Sequence, residues 1–174
     1  MTSRRERKAG ADARKSSQFK KAASVAGVEI HTGKSALKAE YRAAVLVASP
    51  WTHTESVDLD AHFERSEPNA CRWDYGVGVA HGDAELIVWI EPHPASSTGE
   101  VKRLVEKLSW LKGKLESPAF AQLKRLTDAT VNAGCSPYRW LHAGSLQIAR
   151  GSKEARTLAR AGIDFPVRRL MLPF

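Results

Sequence analysis

Asp74, Glu91 and His93 are the residues whose types and spacing could gather reactive groups at one point. They bracket the stretch R-W-D-Y-G-V-G-V-A-H-G-D-A-E-L-I-V-W-I-E-P-H, from Arg72 to His93. Two β-rich runs in it flank Gly82-Asp83, a glycine-first pair suited to a type II′ hairpin turn. With those two residues as the loop, counting outward sets Asp74 opposite Glu91 and Arg72 opposite His93. All four fall at one end of one face, because side chains two apart share a face. Directly opposed Cβ atoms lie about 5 Å apart, so two carboxylates there repel unless a cation lies between them. A three- or five-residue loop would shift the pairing and break the alignment.

The chemistry open to such a pair is metal-assisted. Two carboxylates a few ångströms apart provide a hard-oxygen site for Mg²⁺ or Mn²⁺ that retains waters. Phosphodiester hydrolysis needs a metal to polarise the phosphoryl oxygen and to generate hydroxide near neutral pH. Asp74 and Glu91 are the expected metal ligands. His93 or Lys107 is the expected partner that orients the water or stabilises developing charge. Plainer roles compete: an ion pair of Asp74 with Arg72, a backbone-bonded loop position for His93 before Pro94, and a solvated flank for Lys107.

The elements that must position these groups are an apolar hairpin and the helix behind it. Tyr75, Val77 and Val79 should face Ile90, Val88 and Leu86, while Gly76 and Gly78 leave room for Trp89 and Ile87. Strands apolar on both faces belong in the middle of a sheet covered on both sides. Pro92 and Pro94 end the second strand. Ser97 and Glu100 then have the spacing of a capping box. Val101, Leu104, Val105, Leu108, Leu111 and Leu115 follow the i, i+3, i+4, i+7 rule for a helix. At 100° per residue, Lys107 lies about 90° from the middle of that stripe and can reach past the packed edge towards the sheet.

Elsewhere the patterns predict a short strand at 25–30, a helix over 35–47 ended by Pro50, and a short helix at 58–64. They also predict a helix over 118–133 closed by Gly134, a strand at 138–143, a further short strand at 146–149, a helix at 152–161 with Gly162 as its stop, and a final strand or extended tail at 166–172. Residues 51–70 are polar and ambiguous apart from the short helix at 58–64 and a turn at Ser66-Glu67-Pro68-Asn69. Thr32-Gly33-Lys34-Ser35 ends like a phosphate loop, but Val28 stands where its first glycine is required. The element order implies an α/β fold, a mixed central sheet with a β-hairpin, flanked by helices.

The chain of 174 residues carries a formal charge of +8, of which +6 falls in residues 1–22. Arg4, Arg5, Arg7, Lys8, Arg14, Lys15, Lys20 and Lys21 stand there against Glu6 and Asp12, without hydrophobic periodicity. This reads as a disordered basic arm ahead of a single domain at 23–174, able to add salt-sensitive affinity for phosphate backbones or only solubility. No apolar run follows the basic start, as a secretory signal requires, and none approaches the length of a membrane span. Cys71 and Cys135 lack metal-site spacing, so both read as buried small hydrophobes in a reducing, cytoplasmic compartment. His81, His93 and His142 do not converge on a transition-metal site, because His81 and His93 sit at opposite ends of the hairpin. Trp73, Trp89, Trp110 and Trp140 read as core or interface residues rather than base-stacking platforms.

Asp74, then Glu91-Pro92-His93 on the adjacent strand, followed by a helix and a strand, resembles the PD-(D/E)XK (restriction-endonuclease-like) nuclease superfamily over about residues 35–143. The resemblance implies a restriction-endonuclease-like α-β-β-β-α-β core, with Asp74 and Glu91 at the two acidic positions of the motif and Glu40 matching an acid that some members carry on the preceding helix. Two positions depart from the pattern: Trp73 stands before Asp74 in place of proline, and His93 occupies the lysine position. Some members carry that lysine on the following helix, which here points to Lys107. The implied activity is metal-dependent hydrolysis of phosphodiester bonds in DNA or RNA, with nucleic acid and a second copy of the chain as the partners considered. The competing reading is a non-catalytic module on the same scaffold, binding nucleic acid or protein.

Overall fold

The computed structural model describes residues 17–174. In chain order these contain α1 (Gln18–Val25), β1 (His31–Thr32), α2 (Ala39–Arg42), β2 (Val45–Val47), β3 (Thr52–Asp58), α3 (Leu59–Phe63), β4 (Tyr75–His81) and β5 (Ala84–Pro92). Then come α4 (Gly99–Leu115), a 3₁₀ turn at Pro118–Phe120 leading into α5 (Ala121–Asn132), β6 (Tyr138–Leu141), α6 (Lys153–Ala161) and β7 (Leu170–Leu172). The fold is α/β. A five-stranded mixed sheet in the order β1-β3-β4-β5-β6 is flanked by helices, and β2 pairs in parallel with β7 as a separate two-stranded sheet.

The hairpin has the two-residue loop and the register it dictates. Gly82 takes φ +59°, and Tyr75 pairs with Ile90, Val77 with Val88 and His81 with Ala84. β4 and β5 lie inside the sheet, with β5 antiparallel to β4 and parallel to β6. Their two faces enter two cores. Ile87 and Trp89 pack with α1, α4 and α5 around Phe19, Leu104, Leu111, Leu123 and Trp140. Tyr75, Val77, Val88 and Ile90 pack under Leu37, Val45, Leu170 and Leu172.

Gly76 fits this packing because a Cβ there would meet the Trp89 ring at 2.6 Å, while one at Gly78 would meet Thr54 Oγ1 at 2.4 Å. The space at Gly78 therefore serves Thr54 and Phe19 rather than Ile87. Trp89 is fully buried and its indole N–H donates to Thr127 Oγ1 at 2.9 Å, so the ring cannot retreat freely. Gly76→Ala is expected to destabilise the protein by about 1–3 kcal/mol through overpacking. Urea unfolding checks this, and an unchanged midpoint would mean that the ring yields.

Several expectations are corrected. The folded part begins before residue 23. Residues 18–25 form α1, with Phe19, Ala22 and Ala23 buried and the Glu85 carboxylate accepting from the Gln18 and Phe19 backbone N–H groups at 2.6 and 2.9 Å. Lys20 and Lys21 are exposed on that helix, whereas Arg4, Arg5, Arg7, Lys8, Arg14 and Lys15 lie outside the described residues. The strand expected at 25–30 is instead the end of α1 and a turn before the two-residue β1. The helix expected over 35–47 shrinks to α2, and Val45–Val47 is a strand because β7 supplies its hydrogen-bonding partner. Residues 146–149 form no regular strand, only a bridge from Leu146 to Ala95. Cys71 is exposed, while Cys135 is buried.

Candidate active site

Asp74 immediately precedes β4 and Glu91 is the penultimate residue of β5, so the pleat and register bring them to one end of the sheet. The Asp74 backbone N–H donates to Glu91 Oε2 at 3.0 Å. The cation required between the two acids comes from α4. Lys107 Nζ donates to Asp74 Oδ1 at 2.9 Å and to Glu91 Oε1. Burial of Val101, Leu104, Leu108, Leu111 and Leu115 fixes the rotation of α4, and Lys107 on the flank of that stripe is thereby delivered to the acids.

The electrostatics are those of a half-closed site. Glu91 has no exposed surface, whereas the Asp74 side chain is 22 % exposed and that of Lys107 13 %. Burial pushes the Glu91 carboxyl well above its ordinary range and the Asp74 charge adds to this, with Lys107 opposing both. Burial alone would lower the Lys107 pKa, but the Glu91 and Asp74 charges outweigh it and hold the ammonium above its ordinary value.

His93 is placed beside this group rather than within it. Its Nε2 lies 2.5 Å from Glu100 Oε2 on α4, and its Nδ1 lies 3.7 Å from Glu91 Oε1. Glu100 does not complete the expected capping box. Thr98 is the N-cap, without a side-chain cap bond, and the Glu100 carboxylate is turned to the imidazole. Arg72 does not join the acids either, since its Nε donates to Asp60 Oδ1 at 2.8 Å and its Nη1 to the Glu67 carbonyl at 2.5 Å. Lys34, from the rejected phosphate-loop match, donates to the Arg42 and Val45 carbonyls and ties α2 to β2.

Around the same end of the sheet lies a hollow of about 560 Å³, lined by Glu40, Tyr41, Pro92, His93, His142 and Arg168 among others. Another hollow, of about 580 Å³ between α1, the hairpin tip and α5, is remote from the acids. Pro92 and His93, which directly follow Glu91, line the first hollow, whereas Asp74, Glu91 and Lys107 do not. Sequence reasoning gives Glu100 a capping role, weighs His142 with His93 only for a transition-metal site, and misses Arg168. The signal at Glu100 is its place on the same helix flank as Lys107, and no local pattern marks Arg168.

Only Asp74 of the two acids keeps an oxygen free of Lys107 and exposed to solvent. Lys107 bonds one oxygen of Asp74, and the other accepts no hydrogen bond from any described residue. Hydrated magnesium and manganese ions take one or two carboxylates and keep several waters, whereas both Glu91 oxygens already accept hydrogen bonds and that side chain has no exposed surface. Among the described residues, no three His, Cys, Asp or Glu side chains are grouped to hold a metal ion of any kind. Comparison with protein-family models, curated proteins and solved structures found no match.

Proposed function

We propose that the protein is a metal-dependent nuclease hydrolysing phosphodiester bonds in nucleic acid, resembling the PD-(D/E)XK superfamily with its lysine carried on the helix after the second acid. The observation that carries this reading is the single ammonium of Lys107 shared by Asp74 and Glu91 at the end of the central hairpin. An ammonium has three donors, and two are taken by the acids, so one is left to bond a phosphoryl oxygen as negative charge grows on it. Asp74 and Glu91 would hold a magnesium or manganese ion, which supplies a polarised phosphoryl oxygen and hydroxide near neutral pH. Glu100 orients the His93 ring, and His93 borders the acids as a positioning residue. The overall charge of +8 favours a polyanionic substrate. No helix of the described residues is long and apolar enough to cross a membrane.

Calorimetric titration with Mg²⁺ and Mn²⁺ tests the metal site. Wild-type protein is expected to bind, and Asp74→Ala to lose the heat of binding while keeping its thermal midpoint within a few degrees. Absence of binding, or binding indifferent to both Asp74→Ala and Glu91→Ala, would remove the hydrolase. One observation favours the non-catalytic alternative. Both Glu91 oxygens already accept hydrogen bonds inside the protein, the pattern of an acid that holds a strand end to a helix. On that reading the same substitutions change stability alone.

A further inference from the structure

We infer that the hollow lined by Pro92 and His93, which directly follow Glu91, receives an unpaired nucleotide next to a phosphate bonded by Lys107, so that the substrate is a single strand or a frayed strand end. This rests on the phosphodiesterase reading and specifies its substrate. The hollow lies at the carboxyl ends of the parallel strands β5 and β6, where ligands of open α/β sheets gather. Its volume of about 560 Å³ lies within the range of small-molecule pockets, room for a single nucleotide.

Its lining suits a nucleotide rather than a simple anion. Tyr41 and Pro92 present apolar surface, and Tyr41 offers an aromatic ring on which a base can stack. Glu40 and Arg168 bring opposite charges into the same hollow, yet neither forms an ion pair with any described residue. Arg168 is anchored through Nη2 to the Gly144 carbonyl at 2.7 Å, which leaves its other N–H groups for a phosphate or a base carbonyl. A carboxylate such as Glu40 accepts from the amino groups of a base edge. His142 also lines the hollow, and it is 6 % exposed with no hydrogen-bond partner at its Nδ1. Nucleotides carry both kinds of group, N–H donors on the base and anionic oxygens on the phosphate, and so match both charges.

Fluorescence anisotropy tests this with the full chain in chelator and about 200 mM salt, where the contribution of the basic N-terminal residues is weakened. The probes are a labelled eight-nucleotide single strand, as DNA and as RNA, and the same sequence as duplex. The single strand is expected to bind at least tenfold more tightly than duplex. Tyr41→Ala and Arg168→Ala should each weaken strand binding about tenfold, the former by loss of stacking, without weakening duplex binding. Glu40→Gln, at an exposed position, is expected to alter the ranking of cytosine over thymine homopolymers and serves if either other variant misfolds. Equal or tighter binding of duplex overturns the inference, as does strand binding indifferent to all three substitutions. Cleavage is scored separately with added magnesium. Strand preference without cleavage would sink the nuclease and leave this hollow assigned, whereas cleavage without strand preference would do the reverse.

Discussion

Lys107→Met is expected to lower metal-dependent cleavage of nucleic acid by about two to three orders of magnitude, the usual cost of removing one preorganised donor from a developing oxyanion. The same change should cost about 3–5 kcal/mol of stability, because it leaves Asp74 and a buried Glu91 facing each other with no cation between them. The pH dependence separates this from ordinary loss of packing. Burial and the Asp74 charge already hold the folded-state Glu91 pKa well above 4.5, and loss of Lys107 pushes it higher. Its folded form then binds more protons than its unfolded form, so the variant should regain stability as the pH falls towards 4.5 and lose it as the pH rises. Wild-type protein should show a shallower version of that slope. Denaturant melts at several pH values measure this, and a variant that loses stability on acidification would contradict the arrangement. The acid limb of any residual cleavage should also move to higher pH.

Glu91→Gln should abolish metal-dependent cleavage to below about one per cent of wild type, since an amide oxygen is a weaker ligand for a hard cation than a carboxylate. The fold should survive, because the amide has nearly the same shape and removes a buried charge. It retains one acceptor for two donors, Lys107 Nζ and the Asp74 backbone N–H, so a loss of about 1–2 kcal/mol is expected. Glu91 contributes stability fully below its unfolded pKa, and that contribution fades as the pH rises through the raised folded value. Glu91→Gln should therefore flatten the wild-type fall in stability above pH 4.5. Combining it with Lys107→Met should cost less than the sum of the two single changes, since the residues share one contact. A strictly additive cycle would mean that the ammonium and the carboxylate do not interact.

The parts of this site legible in the sequence are those governed by short-range geometry. A two-residue loop at Gly82-Asp83 leaves one register for the hairpin, and alternation along the strands then sets Asp74 beside Glu91. The leucine stripe of α4 likewise places Lys107 on its flank. The distance of Glu100 from Ser97 suits a cap, but the fold gives its carboxylate a closer partner in His93. β3 escaped notice because Thr52–Asp58 is largely polar and its pairing with β4 shifts register between His53 and Ser56. α1 was hidden by its lysines, although Phe19, Ala22 and Ala23 have helical spacing.

The sequence by itself determined the central hairpin, the adjacency of its two acids and the face of the helix that carries the lysine. Each follows from bond geometry repeated over a few residues. Tertiary structure alone decided that Val45–Val47 is a strand, that His142 and Arg168 share a hollow with His93, and that Glu91 is sealed from water. These outcomes depend on segments far apart in the chain, β7 with β2 and β6 with β5. Such pairings are chosen by how the whole chain buries its apolar surface, and no local pattern records that choice.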